Sequence, residues 1–159
     1  MQDYTTSFGI GLVAGMRSMT ACAALTWAAS VGRTRNGFIP SSPEIRTLAT
    51  AAALAEMVGD KMLFAPDRRI PPSVAARLAI GAVGGWALVR RRASPEHGAL
   101  AGVAGAVAGT LIGRAARGPG GHAPYGLARG LAEDAVAAGV AFILVASADQ
   151  GRSARRRSL

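Results

Sequence analysis

Between Phe8 and Val31 the chain runs for 24 residues with a single charge, Arg17, near the middle. As one α-helix rising about 1.5 Å per residue, such a stretch crosses the ~30 Å hydrocarbon layer of a bilayer with some tilt. An ionisable group at mid-depth is costly there, and it marks either a polar site or an ion pair inside a bundle. Arginine at the centre of a spanning helix is unfavourable by about 2.5–3.5 kcal/mol, whereas Phe8, Ile10, Leu12, Val13, Leu25 and Val31 each return about 0.3–0.6. The sum is near zero, so neighbouring helices as much as lipid are expected to hold this segment.

The rest of the chain repeats the theme. Candidate spans follow at Ile45 to Phe64, Pro72 to Val89, Gly98 to Ala116 and Leu127 to Ala148, separated by Pro40 and Pro43, by Pro66 and Pro71, by Pro95, and by Gly118 to Gly121 with Pro124. The expected fold is all-α: an integral membrane bundle of about five transmembrane helices in one domain over residues 1–150, with a basic cytoplasmic tail at 151–159. At 159 residues the chain is too short for two independent soluble domains. Mean hydropathy is only +0.28, because alanine and glycine stand where leucine and phenylalanine usually make spans obvious. The membrane reading thus rests on run length and flanks. Strands are disfavoured, since Ala-rich runs with small residues every fourth position follow a helical period.

A net charge of +9 in a soluble protein would suggest nucleic acid. Here Arg33 and Arg35, Arg90 to Arg92, and Arg152 with Arg155 to Arg157 each follow an apolar segment, and no aromatic residues interleave them. They read as cytoplasmic anchors under the positive-inside rule, with no nucleic-acid partner. With five crossings this places the N-terminus outside and the C-terminus in the cytoplasm of a bacterial inner membrane. Asp3 and the lack of a basic residue before the first apolar run argue against a cleaved signal peptide. Cys22 is the lone cysteine, which excludes an intramolecular disulfide and a cysteine zinc site. GxSxG, HExxH, a Walker lysine and paired aspartate motifs are all missing, so neither an enzyme nor a cofactor is expected.

Gly98, Gly102, Gly105, Gly109 and Gly113 recur along one span, Ser7, Gly11 and Gly15 along the first, and Gly81 with Gly85 along the third. Rows of this kind let helix backbones approach closely, within one chain or in a homo-oligomer. A faint inverted repeat is also visible: Leu54-Ala55-Glu56 in the second span recurs as Leu131-Ala132-Glu133 in the fifth, each after a Gly-rich, Arg-bearing span, and with one span between the two pairs their expected orientations are opposite.

Within or beside the spans lie Arg17, Glu56, Asp60, Lys61, Arg77, Arg114, Arg129, Glu133 and Asp134, five basic groups against four acidic. Balance is what pairing requires in hydrocarbon. Glu56 and Asp60 are four apart on one helix face and need a cation from elsewhere, for which Arg17 and Arg114 are candidates, whereas Arg129 is satisfied by Glu133 on its own helix. The expected ligand-binding site comprises Arg17, Glu56, Asp60, Lys61, Arg114, Glu133 and Asp134, with the arginines receiving a small anionic group or ion and no metal held. The alternative is a structural or assembly protein whose charges are internal salt bridges and whose glycine rows mediate helix association. Membrane lipids are partners in either case.

Glu56-Met57-Val58-Gly59-Asp60-Lys61 with Asp67, the Gly-rich helix ending in Arg114 and Arg117, and Leu131-Ala132-Glu133-Asp134 together resemble a bacterial membrane family catalogued as domain of unknown function 4126. The opening Gly11-Leu12-Val13-Ala14-Gly15-Met16-Arg17-Ser18-Met19-Thr20 resembles the start of one branch of it. The resemblance covers almost the whole chain and implies a small multi-pass inner-membrane protein without an established activity. That family tends to carry a His and a Lys where this chain has Gly113, Arg114 and Arg117, a departure that removes support for a proton relay there.

Overall fold

In the computed structural model, which describes residues 4–35, 37–59, 71–89, 93–117 and 126–156, every element is a helix. They are α1 (Thr5–Met16), α2 (Ser18–Ser30), α3 (Pro43–Gly59), α4 (Pro71–Leu88), α5 (Pro95–Arg117) and α6 (Gly126–Arg156). Local sequence explains several of the starts. Both α3 and α5 open on Ser-Pro-Glu, with proline at the first helical position, where no N–H is needed. The Ser42 hydroxyl oxygen accepts the Ile45 N–H, and the Ser94 hydroxyl donates to Glu96.

The first apolar stretch departs from expectation. Instead of one crossing helix it forms two half-length helices broken at Arg17, whose φ of −143° and ψ of 103° are extended backbone. Ser7 Oγ donates to the Gly85 carbonyl at 2.9 Å, while Arg77 Nη1 donates to the Gly15 carbonyl at 2.7 Å, so α1 and α4 are antiparallel. α2 follows α4 in the other sense. Cys22 lies across a groove from Ala79 and Ile80, Leu25 lies against Gly84, and the Arg35 N–H donates to the Ala87 carbonyl at 2.8 Å. The two pieces therefore lie side by side as a helical hairpin with Arg17 at its tip. Run length and hydropathy cannot register a one-residue reversal that keeps the composition apolar on both sides.

The remaining helices surround this hairpin. α5 runs parallel to α1, α3 antiparallel to α2 through Trp27 Nε1 and Thr50 Oγ1 (3.2 Å), and α6 antiparallel to α1 from Asp134 beside Arg17 to Leu144 beside Gly9. One end of the molecule, hereafter the Tyr4 end, gathers the start of α1, the residues after α2, the α4–α5 connection and the last turns of α6. There the Tyr4 and His97 rings meet edge to face with centroids 6.2 Å apart. The start of α1 and the later turns of α6 thus lie at the same end of the bundle, because a hairpin returns to the end it started from.

Glycine makes the central contacts possible. A Cβ on Gly11 or Gly15 would strike the carbonyls of Gly102 or Ala106, and one on Gly105 or Gly109 would strike those of Phe8 or Leu12. On the other flank of α5, a Cβ at Gly102 would strike the Gly81 carbonyl, and one at Gly85 that of Gly98. The hydrogen in place of each Cβ points at an oxygen, the arrangement of a Cα–H···O contact. Ile10, Val13, Ala14, Ala21, Ala24 and Leu25 of the hairpin form the core with Ala87, Leu88 and Ala141. Among the described residues one helix segment, Pro95–Ala115, is long and apolar enough to cross a membrane, and Thr5–Met16 and Pro72–Leu88 are apolar but shorter.

A methyl group at the α1–α5 seam must push two backbones apart, so Gly11→Ala is expected to destabilise by about 1–3 kcal/mol. Gly139 of α6 has nothing within 4 Å of its would-be Cβ, and Gly139→Ala should be neutral or stabilising by up to about 1 kcal/mol through helix propensity. Thermal unfolding of the purified variants separates the two outcomes.

Candidate functional site at the hairpin tip

A continuous helix would join the Met19 N–H to the Gly15 carbonyl. The reversal at Arg17 leaves the neighbouring bonds in place, with the Arg17 N–H on Val13 at 2.6 Å and the Ala21 N–H on the Arg17 carbonyl at 3.2 Å. The three bonds between them, Ser18 to Ala14, Met19 to Gly15 and Thr20 to Met16, are not made, and side chains take up part of what they leave. On the α2 side, the Ser18 and Met19 N–H groups donate to Oε1 and Oε2 of Glu56 at 3.3 and 3.0 Å. On the α1 side, the Gly15 carbonyl accepts from Arg77 at 2.7 Å. Thr110 Oγ1 lies 3.4 Å from the same carbonyl, but its single proton is better placed for Ala106 O at 2.8 Å.

The signs of charge fit the half-helices. A carboxylate at the N-terminus of α2 and a guanidinium at the C-terminus of α1 each oppose the local end of the helix dipole. Arg17 itself forms a salt bridge with Asp134 of α6, their side chains 2% and 9% exposed. Thus α3 supplies Glu56, α4 Arg77, α5 Thr110 and α6 Asp134, all at one level of the bundle. Removing one partner from a buried pair of this kind typically costs about 3–5 kcal/mol, because the other charge is left in a poor medium.

Several expected pairings are rearranged. Arg17 binds Asp134, not Glu56; Glu56 is met by backbone amides, not by an arginine. The antiparallel course of α6 brings Asp134 to the tip, one position past the Glu133 that matches Glu56 in the faint repeat. Arg114 is exposed, roughly one turn beyond Thr110 on α5, and does not join the cluster through any of these bonds. Asp60 and Lys61 lie outside the described residues, as do the side chains of Glu133 and Arg129. Arg77, absent from the expected site, had the same signal as Arg17: it is the only charge between Pro72 and Val89.

Cavities lie elsewhere. Two apolar grooves of about 340 and 350 Å³ flank Phe38 and Val83, one reaching Trp86 and Ala99, the other Cys22, Thr26 and Ile80. Neither is lined by a charged residue. Among the described residues no cluster of His, Cys, Asp and Glu could hold a metal ion. No protein-family model, curated protein or solved structure matches the chain.

If Glu56 and Arg77 stand in for the lost ladder bond, Glu56→Ala and Arg77→Met should each destabilise by about 1.5–3 kcal/mol, the usual scale for a hydrogen bond to a charged group. Glu44→Ala, at an exposed position, should stay within about 0.5 kcal/mol. Denaturant titration of the purified variants measures the difference.

Proposed function

We propose that this chain is an integral membrane protein of the structural or assembly class, in which the charged residues tie a folded-back hairpin into a bundle of helices. The observation that carries the reading is the closure of the charges on the chain itself: side chains meet amides and a carbonyl on the two sides of the broken helix, Arg17 pairs with Asp134, and the two apolar grooves lie away from them. The distribution of polarity supports lipid as the surrounding medium. Phe38, Leu48 and Phe142 are 70–74% exposed, whereas Arg17, Arg77 and Asp134 are buried. The resemblance of the two acid-bearing motifs to a multi-pass bacterial family points the same way. Since the glycines of α1, α4 and α5 are used inside the chain, a homo-oligomer would have to form through other surfaces.

Exchange of charges tests the tie. Arg17→Asp and Asp134→Arg should each lose about 3–5 kcal/mol and drop out of the monodisperse fraction in detergent, and the double exchange should recover much of the loss. Absence of any recovery would count against the tie. Recovery of the parent protein from the soluble fraction after alkaline extraction of membranes would remove the lipid reading.

A second reading, binding or transport of a small anionic or ionic ligand, is favoured by a specific feature of the tip. Glu56 occupies the amides of a half-helix N-terminus, where anionic substrate groups are held in broken-helix transporters. The Thr20 hydroxyl, on the first turn of the same helix, is buried and makes no hydrogen bond among the described residues. This reading expects anion flux into liposomes that is lost on Arg17→Gln and on Glu56→Gln; flux unchanged in both would exclude these residues from it.

A further inference from the structure

Resting on the membrane reading above, we infer that α1 and α2 form a re-entrant hairpin that enters and leaves through the cytoplasmic face, so that the buried Arg17 tip lies in the outer half of the membrane. Three observations converge on this arrangement. The first is direction: Ser7 lies beside Gly85 and Arg35 beside Ala87, so the start of α1 and the residues after α2 share one end of α4. The second is length. α1 and α2 have 12 and 13 residues, about 18–20 Å each, against about 34 Å for the 23 residues of α5. Half-length helices are tolerated at membrane depth where they are buried in protein, and here two of the freed amides are met by Glu56 and the Gly15 carbonyl by Arg77.

The third observation is charge. Arg33, Arg35 and Arg46 lie at the Tyr4 end, and the sequence joining Val89 to Ala93 at that end is Arg90-Arg91-Arg92. Towards the other end lie Arg114 and Arg117 of α5, and the sequence joining Gly59 to Pro71 carries Lys61, Arg68 and Arg69 beside Asp60 and Asp67, so the Tyr4 end holds the excess of positive charge by a modest margin. Positive residues in short connections are retained in the cytoplasm, which assigns the Tyr4 end to that side. The depth of the tip follows from its neighbours. Gly15 sits against Ala106 and Thr110, more than halfway along α5 from the Tyr4 end. Arg17, Asp134, Arg77 and Glu56 therefore belong to the far half of the bundle, on the outer side of the membrane in this orientation.

Accessibility labelling tests the inference on the full chain. In a Cys22→Ala background, single cysteines are placed at Thr5, Gly37 and Ala115, all exposed, and treated with a membrane-impermeant maleimide in inside-out and right-side-out vesicles. Thr5→Cys and Gly37→Cys should label only in inside-out vesicles, and Ala115→Cys only in right-side-out ones. Thr47→Cys, also exposed near the start of α3, repeats the Gly37 measurement should that variant fail to accumulate. Labelling of Thr5→Cys and Gly37→Cys from opposite sides would overturn the hairpin. Labelling of both from outside would overturn the orientation. Protein found in the soluble fraction would instead overturn the membrane reading itself, and that result is distinguishable because no vesicle-bound label would be recovered.

Discussion

The hydrogen bond that Met19 and Gly15 fail to make governs the rest of the structure. Interrupting a helix leaves donors on one side and acceptors on the other, and in a poorly hydrated interior these must find partners or the helix re-forms. Here Glu56 takes the Ser18 and Met19 donors and Arg77 the Gly15 acceptor. Once those two side chains are committed, α3 and α4 are fixed in height against the hairpin. Asp134 fixes α6 in the same way through Arg17. The tip is thus the point where α3, α4 and α6 are registered against one reversal.

Close approach of backbones makes that registration possible. Arg77 can reach Gly15, and Thr110 can stand beside it, because α1 and α4 both lie against α5 with glycine at the crossing points. A larger side chain at Gly11, Gly15 or Gly105 would move α1 outwards by an ångström or more and lengthen the bonds at the tip. The core itself is small: Ile10, Val13, Leu25, Ile39 and Leu88 are the bulkier side chains among many alanines. Stability consequently depends on short distances and satisfied polar groups more than on the volume of apolar side chains.

Polarity is arranged inside out. Charged groups cluster on the hairpin axis, and leucine, valine and phenylalanine face outwards on α3, α5 and α6. In water this arrangement would sacrifice hydration of the ions while exposing apolar surface. On the membrane reading proposed above both terms change sign, so that the buried charges and the exposed apolar side chains have one common explanation.

Much of the architecture was legible locally. Helix identity, the proline and glycine punctuation, the spacing of the close-packed glycines and the exceptional position of Arg17 all follow from periods and run lengths within some twenty residues. The reversal at Arg17 was not legible, because one extended residue between two apolar segments changes neither composition nor period. Partner choice was not legible either. Glu56 and Asp134 are equally acidic in the sequence, and only the antiparallel courses of α3 and α6 decide that one meets amides and the other a guanidinium. The sequence by itself determined which residues need a partner, since burial of charge is a local cost; the tertiary structure alone decided which partner each receives, since that depends on distances between helices far apart in the chain.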